Sequence, residues 1–540
     1  MHELRIGLVV DKACIPAWID ATLREIHKST RMRIVLIAIR DTEELQSPQC
    51  GAGLVRRTLE AWRRVLFDRH PHLPSSETPV PITDTLEGAD LCRVCWGARE
   101  PESEELDWLV RHELDVLVWL AAGEPAGCLL GLPRHGVWLL HHGAQTDAPT
   151  GFWEVMLQQP ITSATLTMID PATSRHLVLS RTHASTIEFS VRDNASSIRW
   201  SALRLLPRKL AELQALGGEA MLARVGDANG EPQPHRAAAH GTPDDLRYAR
   251  LLLRLTWHKA RHMMRGRSWF DQWILLYRFG EQESLELDRY TRLAPPADRI
   301  WADPFAWQRE ERYYIFFEEM PLATARGHIS VLEISPAGPV GPTRVALQRP
   351  YHLSYPFLFD FNGELYMIPE TGESGHIELY RCSGFPDRWE FVHNMMEGVR
   401  AYDATLVPHG GRWWMFVNIA EVDGASSWNE LFLFSAANPL SREWTPHPHN
   451  PAVSDCRSAR PAGPLFEHEG ALYRPSQNSE SRYGYGFNLC RIDVLNETDF
   501  QEQIVRRVLP NWAPDVVATH TYGRNGDLHV IDAQIRRRRP

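Results

Sequence analysis

The sequence predicts two unlike domains, an α/β domain with a mostly parallel sheet and an all-β domain built as a five-bladed propeller, joined by a helical connector. Three observations carry that expectation. Continuous apolar runs alternate with amphipathic segments at the start of the chain. The apolar period switches to two at about residue 295. From there a strand–turn–strand unit recurs five times. The boundaries expected are 1–200 for the α/β domain, 201–294 for the connector and 295–540 for the propeller.

In the first domain, "LRIGLVV" (4–10) reads as a buried strand, "PAWIDATLREIHKS" (16–29) as an amphipathic helix and "MRIVLIAIRD" (32–41) as a second buried strand. The pattern continues with "DLCRVCW" (90–96), the helical "ESEELDWLVRHE" (102–113), and the strands "LDVLVWLA" (114–121) and "HGVWLLHHG" (135–143). Strands that are apolar throughout belong to a sheet covered on both faces, which is the parallel case. The connector holds two helical stretches, 202–217 and 243–266, separated by the polar segment "GDANGEPQPHRAAAHGTP", which reads as a flexible loop.

Composition narrows the function. The chain is 43% apolar and 23% charged, with a formal net charge of −10, which disfavours a general nucleic-acid binder. The closing Arg536 to Arg539 reads as a short solvated tail. No window reaches the roughly 18 apolar residues of a membrane span, and the N-terminus has no secretory pattern, so the expectation is a cytoplasmic protein without a transmembrane segment. Cys92 and Cys95 have CxxC spacing, but no second pair completes a zinc site, so they read as core thiols and no metal is expected. The 19 Trp suit sheets and flat ligands such as sugars.

The five repeats are 302–319, 354–370, 401–418, 461–477 and 516–533. Their turns fall near Glu311 and at Gly363, Gly411, Gly470 and Gly526. Each repeat has room for a four-stranded sheet, and five such sheets make a five-bladed propeller. Counting back eight residues from each turn reaches Asp303, Tyr355, Asp403, Ala462 and Ala518, the expected starts of the innermost strands facing the central funnel. The second strands end at the same mouth on Glu318 or Glu319, Glu370, Asn418, Gln477 and Asp532. Asp303, Asp403, Glu319 and Glu370 are therefore candidate catalytic groups, and Trp301, Arg474, Gln477, Tyr483 and His520 are candidates for binding substrate. Several carboxylates around one funnel suit glycoside chemistry, in which one acid is protonated, one base or nucleophile is ionised, and a third group tunes them.

Two resemblances go with these residues. "ADPFAW" and "AYDATLV" resemble the five-bladed propellers of furanosidase-type glycoside hydrolases. That likeness implies a base or nucleophile role for Asp303 and an assisting role for Asp403. It leaves the acid to Glu319 or Glu370, because blade four offers Gln477. The whole segment, including "RPSQNSESRYGYGFNLCRI", resembles the propeller domain attached to plant glucosamine inositolphosphorylceramide transferases. In the first domain, residues 136–170 resemble the folate-dependent formyltransferases, a Rossmann-type α/β fold. His142 with Gly143, the loop Gly151 and the strand Thr165 to Asp170 match. The family's Asn falls on Leu140, and "PATSRHLVLS" lacks its Asp, so His142 and the neighbouring His141 mark a degenerate set.

The reading adopted is a carbohydrate-active protein of surface-polysaccharide or glycoconjugate assembly, binding or processing a sugar in the propeller funnel without a cofactor. One alternative is an amino-sugar N-formyltransferase using formyl-tetrahydrofolate, with the propeller as an accessory domain. A noncatalytic carbohydrate- or protein-binding scaffold is the other.

Overall fold

The computed structural model describes residues 3–40, 54–68, 72–82, 89–94, 96, 100–143, 148–229, 243–280 and 286–538. Cys95, most of the polar connector loop (230–242) and Arg539 lie outside the described residues. The chain divides into two compact units, residues 1–259 with 422–425, and residues 260–421 with 426–540.

The first unit is built on strands β1 (Leu4–Val10), β2 (Met32–Arg40), β3 (Asp90–Val94), β4 (Val116–Trp119), β5 (Val137–His142), β6 (Ile161–Ile169) and β7 (His176–Ser185). They form one seven-stranded sheet in the order β3-β2-β1-β4-β5-β6-β7. The four pairings from β3 to β5 are parallel and the last two are antiparallel. Along β1, Ile6, Leu8 and Val10 enter the core on one face while Val9 enters the core on the other. That double burial explains why the strand is apolar throughout. The helices are α1 (Ala17–His27), α2 (Leu54–Phe67), α3 (Ser103–Arg111), α4 (Phe152–Leu157), α5 (Val191–Ala202), α6 (Leu205–Leu216) and α7 (Gly218–Asn229), followed by α8 (Asp245–Ser268), which begins in this unit and runs past its end at residue 259. An α/β domain is present as expected.

The second unit is a ring of five antiparallel sheets. Blades one to three begin with the inner strands Arg299–Arg309, Ser354–Phe361 and Ala401–His409, and each inner strand pairs with the strand that follows its turn. Blade four comprises Phe466–His468, Ala471–Asn478, Gly486–Leu495 and Phe500–Val508. Blade five corrects the expected boundary. The strand Trp269–Phe279, placed by sequence in the helical connector, pairs along eleven residues with the final strand Leu528–Arg538. The ring therefore closes between the two ends of the unit, which leaves neither of these strands as an open edge. Arg536 belongs to this closure and bonds Asp271, so the basic tail is structural up to Arg538. Among the described residues no helix is long and apolar enough to cross a membrane.

Candidate functional site

An Asp followed by Pro in an apolar strand has a geometric cause. In blade one, Ala302 pairs with Glu318 and Phe305 pairs with Phe316, so Asp303 and Pro304 together face the single residue Phe317. The same two-against-one bulge recurs at Tyr355 and Pro356 in blade two and at Asp403 and Ala404 in blade three. A bulge frees a backbone N–H from the ladder, so a proline fits there. Its first residue is left-handed in all three blades, with φ of +49° at Asp303, +44° at Tyr355 and +57° at Asp403. Non-glycine residues held there cost about 1–3 kcal/mol each and gather at functional sites.

The bulges aim these side chains at the axis, where Asp303, Tyr355 and Asp403 are buried. Tyr355 serves the frame, because its hydroxyl pairs with Thr405 and accepts a hydrogen bond from the Gly463 N–H. A cavity of about 250 Å³ lies beside the two aspartates, lined by their chain neighbours Ala302 and Tyr402 and by their partners His520 and Arg460. Its acids are Glu318 and Glu370, its basic side chains are Arg460, His352 and His520, and Trp273, Tyr402 and Tyr483 supply aromatic faces.

Burial pushes the Asp303 carboxyl up to about 6, helped by Asp403 and Asp532 and opposed by His520. Its Oδ1 accepts from the Thr521 hydroxyl at 2.9 Å and lies 3.4 Å from His520 Nε2. Glu318 is driven well above the carboxylate range, first by burial and then by repulsion from Asp303, Glu370 and Asp532. Burial and then Asp403 raise Glu370 to about 7, although the Gly372 N–H (2.5 Å) and the Ser354 hydroxyl (3.0 Å) bond it. Gly372 is needed there, because a Cβ would stand 2.6 Å from the Glu370 carboxylate.

Asp403 differs from these three. Arg460 grips it with two hydrogen bonds, Nε to Oδ2 at 2.5 Å and Nη2 to Oδ1 at 3.2 Å, and Gln477 donates a third at 3.0 Å. The Arg460 guanidinium lies over the rings of Tyr402 and Tyr483, at 5.3 and 5.1 Å. His520 packs against Trp273 at 4.3 Å, with Nδ1 2.6 Å from Asp532. Burial disfavours its charge, but Asp532 and Asp303 outweigh that and raise its pKa. Asp303, His520 and Asp532 offer atoms within 4.8 Å of one another, a spacing a cation could share. The two oxygens of Asp532 already accept the N–H groups of Asp303, His520 and Thr521.

The structure thus gathers Asp303, Glu370, Asp403, Gln477, Tyr483 and His520 at one place. Three other candidates lie elsewhere. Glu319 pairs across the ladder with Trp301, and both point away from the cavity. Arg299 (2.8 Å) and Ser330 (2.7 Å) hold the Glu319 carboxylate. Trp301 packs on Phe317. The alternation of the strand brings Glu318 to the axis instead, in register with Glu370 and Asn418. Arg474 is fully buried in a two-pronged pair with Glu502 and also bonds the Ser458 carbonyl, so it braces blade four. Sequence reasoning missed Arg460, two residues before the counted position Ala462, and Trp273 on the closing strand.

In the first unit, His142 ends β5 with its ring edge on Trp18 at 4.7 Å. Among the described residues its Nε2 is buried without a hydrogen-bond partner. Burial, then Arg199 and His141, hold its pKa well below the ordinary value. His141 Nε2 instead meets the Thr167 hydroxyl at 3.1 Å.

Comparison with known proteins bears on the second unit. Residues 291–523 match the family model described as glucosamine inositolphosphorylceramide transferase 1, N-terminal. The glucosamine inositolphosphorylceramide transferase 1 of Arabidopsis thaliana is 34% identical over 204 residues, covering 37% of this chain and 26% of that protein. The protein of the same name from Oryza sativa subsp. japonica is 33% identical over 204 residues, covering 37% of this chain and 27% of that one. The chain spans about a quarter of the length of the curated relatives it matches. Among solved structures, a family 117 glycoside hydrolase of Zobellia galactanivorans aligns with a TM-score of 0.32 at 13% identity, covering 49% of this chain and 90% of that one. The catalytic domain of a Coprinopsis cinerea GH62 α-L-arabinofuranosidase gives 0.34 at 11% identity, covering 49% and 96%. The matched family model begins at residue 291 and so covers none of residues 1–259, and the formyltransferase likeness there is not among these matches.

Proposed function

We propose that the axial cavity binds a single sugar unit, and that the protein acts on it by glycosyl transfer or hydrolysis in the assembly of a glycoconjugate or surface polysaccharide. The observation that carries this reading is the pair of raised carboxylates Glu318 and Glu370 on one cavity walled by aromatic faces, with a third raised carboxylate, Asp303, buried against its lining residue His520. At about 250 Å³ it is smaller than the roughly 300–1,000 Å³ pockets of drug-sized ligands, which suits one ring.

The chemistry divides by environment. Burial and its carboxylate neighbours favour the protonated form of Glu318, and Glu370 titrates at about 7, so either can supply a proton to a leaving oxygen. Asp303 is largely ionised and serves as base or nucleophile. Asp403, fixed by Arg460 and Gln477, faces the charge that develops at the anomeric carbon. The curated relatives are named glucosamine inositolphosphorylceramide transferases, and buried carboxylates favour a cation; both support an amino sugar as the ligand. A reducing, cytoplasmic setting belongs to the same reading and is supported by the free thiols among the described cysteines.

The test is a thermal-shift screen of wild type and Asp303→Asn against glucosamine, N-acetylglucosamine, pentofuranosides and nucleotide sugars. A sugar that stabilises wild type and not the variant supports the reading. Equal shifts in both proteins would remove Asp303 from the site.

Amino-sugar N-formylation in the first unit is a second reading. It is favoured by His142, whose ring is kept neutral by burial and whose Nε2 has no hydrogen-bond partner among the described residues. Formyl-tetrahydrofolate binding that is lost in His142→Ala would establish it, and no folate binding would leave the unit as a binding or assembly domain.

A further inference from the structure

Two neighbouring helices, α2 of the first unit and α8, which begins in that unit, carry an outward pattern that the sugar site does not use. On α2, Val55, Trp62 and Leu66 recur at i, i+7 and i+11, and are 59%, 63% and 42% exposed. On α8, Leu246, Leu253 and Trp257 repeat the same spacing and are 61%, 70% and 59% exposed. At about 3.6 residues per turn each trio forms one stripe along its helix. The opposite side of α8 is packed, with Tyr248, Leu252 and Leu255 in a core shared with Phe67 of α2. The helices are joined at both ends of their contact. Arg56 donates to the Pro243 carbonyl at 2.8 Å, and Lys259 donates to the Leu66 carbonyl at 2.7 Å.

Charge accompanies the stripes. Helix α2 holds four Arg against Glu60, and α8 holds seven Lys and Arg against Asp245. That is a net of +9 on the 38 residues of the two helices, of which the buried Arg63 is matched by Asp68 just past α2, in a chain whose total is −10. Arg250 and Arg254 are exposed and run along one side of the α8 stripe, while the exposed Arg57 and Arg64 lie across α2 from its stripe. An apolar stripe bearing Trp and flanked by Arg is the pattern of a helix lying in a membrane interface, its rings at headgroup depth and its guanidinium groups among phosphates. A coiled-coil partner fits less well, because the intervening i+3 and i+4 positions on α8 are Ala249 and Arg250. A nucleic acid would leave the Leu and Trp side chains without a use.

We propose that α2 and α8 dock the protein on an anionic bilayer surface, as a peripheral contact. Flotation of the full chain with phosphatidylcholine–phosphatidylglycerol vesicles tests this, against pure phosphatidylcholine. The protein is expected to float with the anionic vesicles only, and to be released at high salt. Trp62→Ser with Trp257→Ser, and separately Arg250→Glu with Arg254→Glu, should each lower the partition roughly tenfold or more with unchanged melting temperature. All of these side chains are exposed, so folding should survive both changes. No flotation, equal flotation with neutral vesicles, or retention in both variants would overturn the proposal. So would a dimer in sedimentation velocity that the Trp variants dissociate and vesicles do not affect.

Discussion

Glu318 and Glu319 are adjacent in the chain, both buried, and they meet opposite surroundings on the two faces of blade one. On the axial face, Glu318 has carboxylate neighbours, and burial lifts it well above its ordinary range. On the other face burial also opposes charge at Glu319, but hydrogen bonds from His328, Ser330 and Arg299 overcome it and hold the group at about 2. Blade four repeats the second case, where Glu502 meets both prongs of Arg474. Burial by itself is therefore no mark of a site. The mark is a buried carboxylate left short of compensation beside a cavity.

The largest effects should separate the two faces by kind. Asp303→Asn keeps a residue tolerant of the left-handed backbone, so the fold should hold while sugar binding or turnover falls about 100-fold or more. Calorimetric titration beside a melting curve reads both. On the bracing side, Arg474→Met should cost about 3–5 kcal/mol in denaturant unfolding, because Glu502 is left as an unpaired buried charge. Replacing both partners by apolar residues should recover most of that loss, and if it does not, Arg474 has a further role.

Smaller effects carry the sign of each environment. Glu370 titrates at about 7 instead of 4.5, so the native state holds its proton more tightly than the unfolded chain does. Its contribution to stability is present below about pH 4.5 and is lost as the pH rises through 7. Glu370→Gln should therefore raise stability at pH 8 by roughly 2 kcal/mol and change little at pH 4.5. Glu319 is the reverse case. Its contribution is present above about pH 4.5 and is lost as the pH falls towards 2, so Glu319→Gln should cost roughly 1–2 kcal/mol at pH 7. A pH-independent cost would mean that shape, not charge, holds that corner.

Much of this was legible in the sequence, for physical reasons. Period-two burial and glycine turns mark each inner hairpin, so counting back from the turns placed Asp303 and Asp403 at the axis. The choice between Glu318 and Glu319 was not legible, because the bulge absorbs a residue on one strand and resets which side chain of the partner faces inward. Arg460 was hidden for another reason. Blade four has a short inner strand, Phe466–His468, and Arg460 precedes it without a strand signal. Trp273 escaped because its strand pairs with a segment more than 250 residues away, at Gln534. Ring closure is a long-range fact that no local pattern announces.

The most direct test of the central claim is a crystal of the protein soaked with glucosamine. The account predicts one ring in the axial cavity, within hydrogen-bonding distance of Glu318 and Glu370 and stacked on an aromatic wall, and its absence in Asp303→Asn crystals. A sugar bound only outside the funnel, or a cavity holding only water while the same crystals bind the sugar elsewhere, would contradict it.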